Sequence, residues 1–292
     1  MEKKIICIGD NVWDKYLSRG KMYPGGQCVN TCVYAGMNGV PAAYLGQFGD
    51  DKPAKLMQAI LKEKGIDYSR SRQYTGEGGF ALVTLQDGDR VFLGSNKGGV
   101  ARLHPYAFTD EDFAYIKGFA LLYTNINCHI EADLPALSAL GVPAAFDFSD
   151  RWTREYLQKV CPYVKVACLS CAHLPREGME SVMRDAAGFG VPQVLGTRGE
   201  EGSWALCRGK LLHCPAAPAE KLADTMGAGD AYLAALLCRL LEDPSPAALP
   251  EAMEKAARFA AKICGLEGAF GCGVPMMGRI ELEDWEKLKS PL

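Results

Sequence analysis

Short apolar segments of strand length alternate along this chain with amphipathic segments of helix length. The alternation begins with a strand-like run at 4–9 and a helix-like segment at 26–37, and it repeats at 42–48 and 55–64. Strands that alternate with helices need crossover connections, which produce a mostly parallel sheet covered by helices on both faces. The pattern therefore predicts an α/β fold with a doubly wound sheet.

The same alternation continues through the second half of the chain. Further strand-like segments lie at 120–124, 144–148, 164–169 and 193–196, and helix-like segments lie around 131–140, 153–160 and 177–188. A hairpin over 203–213 follows, with its turn at Gly209. These segments extend the predicted sheet well beyond its first two strands.

One region, from about 76 to 99, departs from this alternation. Residues 80–85 and 90–93 read as two strands around an Asp-Gly turn, and glycines flank them on both sides. With the irregular stretch 11–25, this hairpin is predicted to form a small sheet that acts as a lid over a site. An ordinary edge hairpin is the alternative. We predict a single domain over 1–292, with a lid formed by 11–25 and 76–99.

Composition and charge exclude several classes of protein. The chain has 292 residues, a net charge of −3 and a mean hydropathy of −0.05, as in a globular protein with one large or two small domains. It has no basic run for nucleic acid or an anionic membrane, and no apolar stretch near the roughly 18 residues that span a bilayer. The N-terminus meets an acidic residue before any signal-peptide core develops, so we expect a cytoplasmic protein.

The twelve cysteines are scattered, and many lie inside apolar runs, where a reduced cysteine behaves as a small hydrophobe. A zinc site is the alternative, because Cys168 and Cys171 have ligand-like spacing. Its remaining ligands would come from His173, Cys207, His213 and Cys214. No second pair with this spacing occurs, which favours packing.

A glycine loop at 224–230 opens directly into the strongly apolar helical run 231–237. The amides of such a turn and the positive end of the helix dipole suit a phosphate or a developing negative charge. Asp230 is unexpected there, because a carboxylate repels an anion. It can accept a proton from an attacking hydroxyl, or it can simply cap the helix, and spacing alone does not separate these roles.

The sequence of this loop, Asp224-Thr225-Met226-Gly227-Ala228-Gly229-Asp230, resembles the C-terminal signature of the ribokinase-like, or phosphofructokinase-B type, carbohydrate kinases. Pro24-Gly25-Gly26 through Asn30 resembles the N-terminal Gly-Gly motif of that family, and Thr197-Arg198-Gly199 resembles its nucleotide-binding stretch. The resemblance covers nearly the whole chain. It implies the ribokinase-like fold and ATP-dependent phosphorylation of a sugar hydroxyl.

The resemblance also implies roles for individual residues. Asp230 would be the catalytic base, and the amides of Gly227, Ala228 and Gly229 would stabilise charge on the transferring phosphoryl group. The sugar would contact Asp14, Gly25, Gly26 and Asn30. ATP would contact Ser170, Thr197, Gly199, Gly202, Gly227 and Gly229, and Mg²⁺ would travel with it. A monovalent cation, usually K⁺, would lie near Asp224, Met226, Ile263, Leu266 and Gly268.

Within this family the likeness is closest to fructoselysine 6-kinases, on the runs 9–11, 89–92 and 147–152 and on Met226. It implies that Arg90 and Asp147 contact a fructosamine substrate. The alternatives are that Arg90 is a solvent-exposed charge of the hairpin and that Asp147 is an acidic residue at the start of a helix. Kinases of the same family that act on a ketose, a keto-sugar acid or a nucleoside remain rival interpretations, as does a non-catalytic sugar-binding protein.

The chain departs from the family pattern in two places. Many relatives have Asn-x-x-Glu where this chain has Ser170-Cys171-Ala172-His173, which leaves the placement of Mg²⁺ open. Arg198 replaces an apolar residue, and the sequence does not decide whether it reaches phosphate or solvent. Lids in this family sometimes form dimer interfaces, so Phe80, Leu82, Val91 and Leu93 are candidates for a homodimer contact.

Overall fold

The structure, a computed structural model, describes residues 3–86 and 89–277, with the backbone alone at 85, 86, 89 and 90. The ends of the predicted 1–292 domain and the Asp87-Gly88 turn lie outside this part. The described strands are β1 (Ile5–Gly9), β2 (Val12–Tyr16), β3 (Lys21–Gly25), β4 (Ala42–Phe48), β5 (Arg72–Gln73), β6 (Gly79–Gln86), β7 (Asp89–Ser95), β8 (Leu121–Asn125), β9 (Ala144–Asp147), β10 (Val166–Ser170), β11 (Gln193–Thr197), β12 (Ser203–Cys207), β13 (Lys210–Cys214) and β14 (Val274–Pro275).

The described helices are α1 (Gln27–Met37), α2 (Lys52–Glu63), α3 (Val100–Leu103), α4 (Asp110–Ile116), α5 (Leu134–Ala139), α6 (Arg154–Val160), α7 (Arg176–Gly188), α8 (Ala228–Glu242) and α9 (Leu249–Ile263). Short 3₁₀ turns connect several of these elements. One of them, Leu17–Arg19, joins β2 to β3.

A nine-stranded sheet has the order β13-β12-β11-β10-β9-β8-β1-β4-β5. The strands from β11 to β5 pair in parallel, and β12 and β13 add an antiparallel edge. β1 is wholly buried, with apolar side chains along its length. The predicted α/β fold is therefore confirmed, because continuous apolar strands can be buried only between two layers of helix.

The sequence prediction needs correction in detail. The stretch 11–25 joins the hairpin in one small sheet as predicted, but it is not irregular and contains the paired strands β2 and β3. Helix α9 was not predicted, although Leu249, Ala252, Met253 and Ala256 recur at helical spacing and lie buried. Helix α2 also begins at Lys52, earlier than the predicted 55, because the Asp51 side chain accepts a hydrogen bond from the Ala54 amide (3.0 Å).

A second sheet, of order β14-β3-β2-β6-β7, stands beside the main one and is formed largely by the two segments that the sequence groups as a lid. The short strand β14 was not predicted. Phe80 and Leu82 are buried within the chain itself, whereas Phe92 is 59% exposed. The homodimer contact stays a prediction, and two of its four apolar candidates are already covered by this chain.

Among the residues that the structure describes, no helix is both long and apolar enough to span a bilayer.

The junction between β3 and α1 requires glycine at position 26. Its φ is +98°, and an added Cβ would lie 2.9 Å from the Asn11 Cα. We expect Gly26→Ala to lower the free energy of unfolding by about 2 kcal/mol or more, because backbone strain and overpacking add. Chemical denaturation measures the change.

Gly36→Ala, in the same helix, is the matched control. Gly36 has no positive φ and no described atom within 4 Å of an added Cβ, so this change should be neutral or stabilise by about 0.5 kcal/mol. Equal losses in both variants would contradict a special role for Gly26.

Candidate active site

The candidate site lies at the carboxyl edge of the parallel sheet, where the strand order reverses. From β1 the chain builds β4 and β5 on one side and β8 to β11 on the other. The carboxyl ends of β1 and β8 meet at this switch point, which is where open α/β sheets bind their ligands. A cavity opens there. Its lining includes Asp10, Asn11, Lys97, Arg102, Asn127 and His129.

Asp10 follows β1 and holds the start of α1. Its carboxylate accepts hydrogen bonds from the backbone amides of Gln27 (2.9 Å) and Cys28 (3.1 Å) and from the Asn125 side chain (2.8 Å). A carboxylate at a helix N-terminus is stabilised by the unpaired amides and the helix dipole. Asp10 therefore joins β1, β8 and α1 at the switch point.

Asp10 was not among the predicted sugar contacts, although its place directly after a buried strand was a usable signal. Asp14 was predicted instead. The structure places Asp14 on β2 of the second sheet, 5% exposed, with Gly25 so close that any Cβ at position 25 would collide with the carboxylate. Gly25 and Gly26 thus allow the second sheet to approach the start of α1.

Asn30 and Asp230 meet although they lie 200 residues apart. The Asn30 amide donates a hydrogen bond of 2.6 Å to Asp230 Oδ2, and both side chains are at most 9% exposed. The other side of the Asn30 amide, Oδ1, is buried without a hydrogen-bond partner among the described residues. A buried acceptor of this kind is costly unless a ligand donates to it.

Asp147 ends β9 beside this pair. It accepts hydrogen bonds from the Ser149 amide (2.7 Å) and from the Gln27 side chain (3.1 Å). Burial raises the pKa of Asp147 to about 7, and the negative charge of Asp230 adds to the effect. Asp147 therefore keeps its proton to a higher pH than an ordinary aspartate, and it lies at the end of a strand as the sequence indicated.

Several polar residues of this network were not predicted. The Asn127 side chain donates to the Gln27 side chain (2.8 Å) and accepts from Arg151. Gln27, Asn127 and Arg151 come from three separate elements, and the sequence carries no common motif for them. The Arg90 side chain, predicted to contact substrate, lies outside the described part.

The glycine loop turns sharply into α8. Gly227 is the residue before the helix, with φ at +73°, and an added Cβ would lie 2.6 Å from the Tyr34 hydroxyl. An added Cβ at Gly229 meets no described atom within 4 Å, so the space next to the helix start is open. Ala228 begins the helix, and Asp230 lies in its first turn. This arrangement suits an anion at the helix N-terminus.

The predicted nucleotide contacts cluster near the ends of β10 and β11. Thr197 accepts a hydrogen bond from the Cys171 amide (2.8 Å), and the Ser170 amide donates to Ser149 (2.8 Å). Gly199 and Gly202 bound the following 3₁₀ turn, and both have positive φ.

Arg198 lies in the same turn and does not extend towards the glycine loop. Its guanidinium donates to the Leu174 carbonyl (2.5 Å) and to Glu201 (2.6 Å). These contacts stabilise the turn in which Arg198 lies.

Asp224, predicted to ligate a monovalent cation, is already surrounded by donors. Its Oδ2 accepts from the Tyr16 hydroxyl (2.8 Å), the Arg19 guanidinium (3.3 Å) and the Gly268 amide (3.3 Å). Its Oδ1 accepts from the Met226 amide (3.0 Å). The Ile263 carbonyl accepts from the Leu266 amide (2.9 Å). This donor set fits a bound K⁺ poorly, because the Arg19 guanidinium already supplies a positive charge 3.3 Å from the carboxylate.

The candidate zinc ligands do not form a cluster among the described residues. Cys168 and Cys171 belong to the hydrophobic core, and burial raises the pKa of both thiols. In the described part, a cluster of potential ligands is formed instead by Asp10, Cys28 and Cys128, with ligand atoms within 4.8 Å of one another. Burial raises the pKa of Cys28 as well, so a protonated thiol faces a carboxylate that already caps a helix.

Comparison with known proteins adds independent information. A model of the pfkB family carbohydrate kinases matches residues 3–275. The fructosamine kinase FrlD of Bacillus subtilis is 38% identical over 273 residues, which cover 93% of this chain and 94% of that protein. The fructoselysine 6-kinase of Escherichia coli is 31% identical over 268 residues, which cover 92% of this chain and 100% of that protein.

Solved structures show the same architecture. Arabidopsis thaliana ribokinase, complexed with ribose and ATP, superposes with a TM-score of 0.79 at 21% identity, covering 92% of this chain and 95% of that one. Fructokinase from Xylella fastidiosa with bound ATP gives a TM-score of 0.76 at 18% identity, covering 92% and 94%. These similarities show the ribokinase-like fold.

The raised pKa of Asp147 is testable by NMR. We expect its carboxyl carbon to titrate near pH 7, and Asp230→Asn to lower that pKa, because removing a neighbouring negative charge favours the ionised form. Because the folded-state pKa is above that of the unfolded chain, ionisation lowers the free energy of unfolding as the pH rises from about 4 to about 7.

Asp243→Asn, at the far end of α8, is the control and should leave the Asp147 titration unchanged. An Asp147 titration near pH 4 in the unmodified protein would contradict this description of the site.

Proposed function

The chain belongs to the pfkB family of carbohydrate kinases, and from that premise we propose that it phosphorylates the 6-hydroxyl of fructoselysine or a related fructosamine with ATP. The observation that carries the catalytic part is the buried pair of Asn30 and Asp230 at the start of α8. This pair supports a proton acceptor at the start of α8, beside the proposed sugar site.

In the proposed mechanism Asp230 accepts the proton of the attacking hydroxyl as its oxygen bonds to the γ-phosphorus of ATP. The Asn30 amide orients the carboxylate, and its unpaired Oδ1 is available to a sugar hydroxyl. The amides of Gly227, Ala228 and Gly229 stabilise charge on the transferring group, which the open space beside Gly229 accommodates.

Mg²⁺ arrives with ATP in this proposal. Ser170 presents oxygen atoms at the carboxyl end of β10, and oxygen is the ligand type that Mg²⁺ prefers. This residue therefore fits a metal-bound nucleotide even without the Asn-x-x-Glu motif. When bound, the metal neutralises charge on the phosphates. ATP itself would contact Ser170, Thr197, Gly199, Gly202 and the glycine loop.

The charges around the site support a fructosamine over a plain ketose. A fructosamine carries a protonated amine next to its sugar ring, and a cation beside Asp147 would relieve the cost of ionising that buried carboxyl. Farther out, the cavity is lined by Lys97, Arg102 and His129, which suit the carboxylate of an amino-acid arm. A ketose has neither charge to match these groups.

The second sheet is proposed to close over this site as a lid. The cavity is bounded by Asp10 and Asn11 after β1 and by Lys97 and Gly98 after β7, so it lies where the two sheets meet. Closure would exclude water, which otherwise competes as a phosphoryl acceptor.

A substrate panel tests the proposed substrate class. We expect kcat/KM for fructoselysine to exceed the values for fructose, ribose, 2-keto-3-deoxygluconate and nucleosides by at least about tenfold, because charge complementarity adds binding free energy. ADP release measures the rates, and NMR of the product locates the phosphate. Equal or lower activity with fructoselysine would reject the fructosamine assignment and leave the family membership intact.

A second experiment tests the role of Asp230. Asp230→Asn should lower kcat by about 10²–10⁴-fold, because the amide cannot accept the hydroxyl proton, while sugar affinity changes little. Asp243→Asn, at the residue that follows the same helix, is the matched control and should retain normal kcat. A near-normal kcat in Asp230→Asn would leave helix capping as the role of this residue.

A further inference from the structure

We propose that the Arg19 guanidinium takes the place of a monovalent cation beside the glycine loop, so that phosphoryl transfer by this enzyme does not require K⁺. The inference starts from the contacts of Asp224, whose side chain is 1% exposed and faces Arg19 at 3.3 Å. The family resemblance implies a K⁺ ion near Asp224, whereas the inference replaces that ion by the Arg19 guanidinium.

At least four donors surround the Asp224 carboxylate, and they are concentrated on Oδ2. Three donors, from Tyr16, Arg19 and Gly268, converge on Oδ2, and the Met226 amide bonds to Oδ1. An ionised carboxylate offers about four acceptor positions. A K⁺ ion at this carboxylate would place a second positive charge near the guanidinium, which lies 3.3 Å from Oδ2.

Arg19 is held in place by more than its ion pair. Its Nη2 lies 3.5 Å from the Ala223 carbonyl, and its guanidinium lies 5.0 Å from the centre of the Tyr16 ring. The side chain is 22% exposed. A buried carboxylate needs a compensating positive charge, and a planar guanidinium supplies that charge together with directed donors.

The charge at Asp224 matters because this residue fixes the backbone of the glycine loop. Its carboxylate binds the amide of Met226, directly before Gly227, and the amide of Gly268 on the facing segment. The amides of Ala223 and Asp224 also donate to the Cys264 carbonyl (2.8 and 3.1 Å). Arg19 is therefore a positioning residue, which acts on the loop through Asp224.

The same contact couples the second sheet to the catalytic loop. Tyr16 ends β2 and Arg19 ends the 3₁₀ turn between β2 and β3, whereas Asp224 begins the glycine loop of the main body. A free K⁺ ion would neutralise Asp224 without this connection. The Arg19 guanidinium neutralises Asp224 and also connects the second sheet to the glycine loop.

The experiment compares monovalent cations in the intact enzyme. With ATP as its Tris salt and magnesium acetate, kcat should agree within about twofold between KCl and tetramethylammonium chloride, each near 100 mM so that ionic strength is matched. Any sugar that the enzyme turns over serves as substrate, so failure of the fructosamine assignment does not affect this test.

The Arg19→Gln variant should acquire a cation requirement. We expect its kcat in tetramethylammonium to fall at least about tenfold and K⁺ to restore most of the loss, because the loop regains a positive charge beside Asp224. Arg19→Lys should retain cation-independent turnover. A thermal shift gives a readout without substrate: K⁺ should raise the melting temperature of Arg19→Gln and leave the unmodified protein unchanged.

Lys21→Gln is the matched control. Lys21 lies two residues away and pairs with Glu267 at 3.3 Å, but both side chains are about half exposed. Its response to K⁺ should equal that of the unmodified protein.

Two results would overturn the proposal. The first is activation of the unmodified enzyme by K⁺ of more than about fivefold. The second is an Arg19→Gln variant that folds and stays active without responding to K⁺. If Arg19→Gln does not fold, kcat in KCl is compared with kcat in tetramethylammonium chloride for the unmodified enzyme and for Arg19→Lys. A K⁺ requirement in the unmodified enzyme then overturns the proposal.

Discussion

The hydrogen bond from Asn30 to Asp230 joins the two ends of the chain at the point where chemistry is expected. Asn30 lies in the first helix and Asp230 in the first turn of the helix that follows the glycine loop, and α1 packs against α8. A buried carboxylate needs a donor, so this contact determines how the helices meet. The start of α1 and the glycine loop are thereby brought together.

The acidic residues around that contact have different surroundings. Asp10 accepts three N–H donors at the start of α1, and this fits a structural role at the switch point. Asp147 is buried next to Asp230, and its pKa is raised to about 7. A site with one such carboxyl favours a substrate that brings its own positive charge, which is the physical basis of the proposed fructosamine specificity.

The second sheet also depends on charge pairing with the main body. Arg19 and Tyr16 reach Asp224, while Tyr23 and Lys21 reach the carboxylate of Glu267. These contacts lie at the base of the proposed lid. Of these, the contacts of Arg19 and Tyr16 with Asp224 connect the position of the second sheet to the loop that would receive the phosphates.

Local sequence patterns were sufficient to predict much of the fold. Alternating strands and helices identified the α/β architecture, and the glycine loop with Asp230 indicated the centre of the candidate site, because both signals depend on neighbours in sequence. The grouping of 11–25 with the hairpin into one small sheet was confirmed, but the strands β2 and β3 were read as irregular, because the pairing of β2 with β6 joins residues about 65 positions apart. The same reasoning also misjudged the surroundings of Asp224.

The sequence by itself thus determined the fold class, the family and the residue types of the glycine loop, since periodicity and contiguous motifs are enough to recognise them. The tertiary structure decided that Asp10 holds the switch point, that Asp147 is buried beside Asp230, and that Arg19 pairs with Asp224. Each of these depends on contacts between residues more than 15 positions apart, and burial and charge pairing exist only once the chain has brought such residues together.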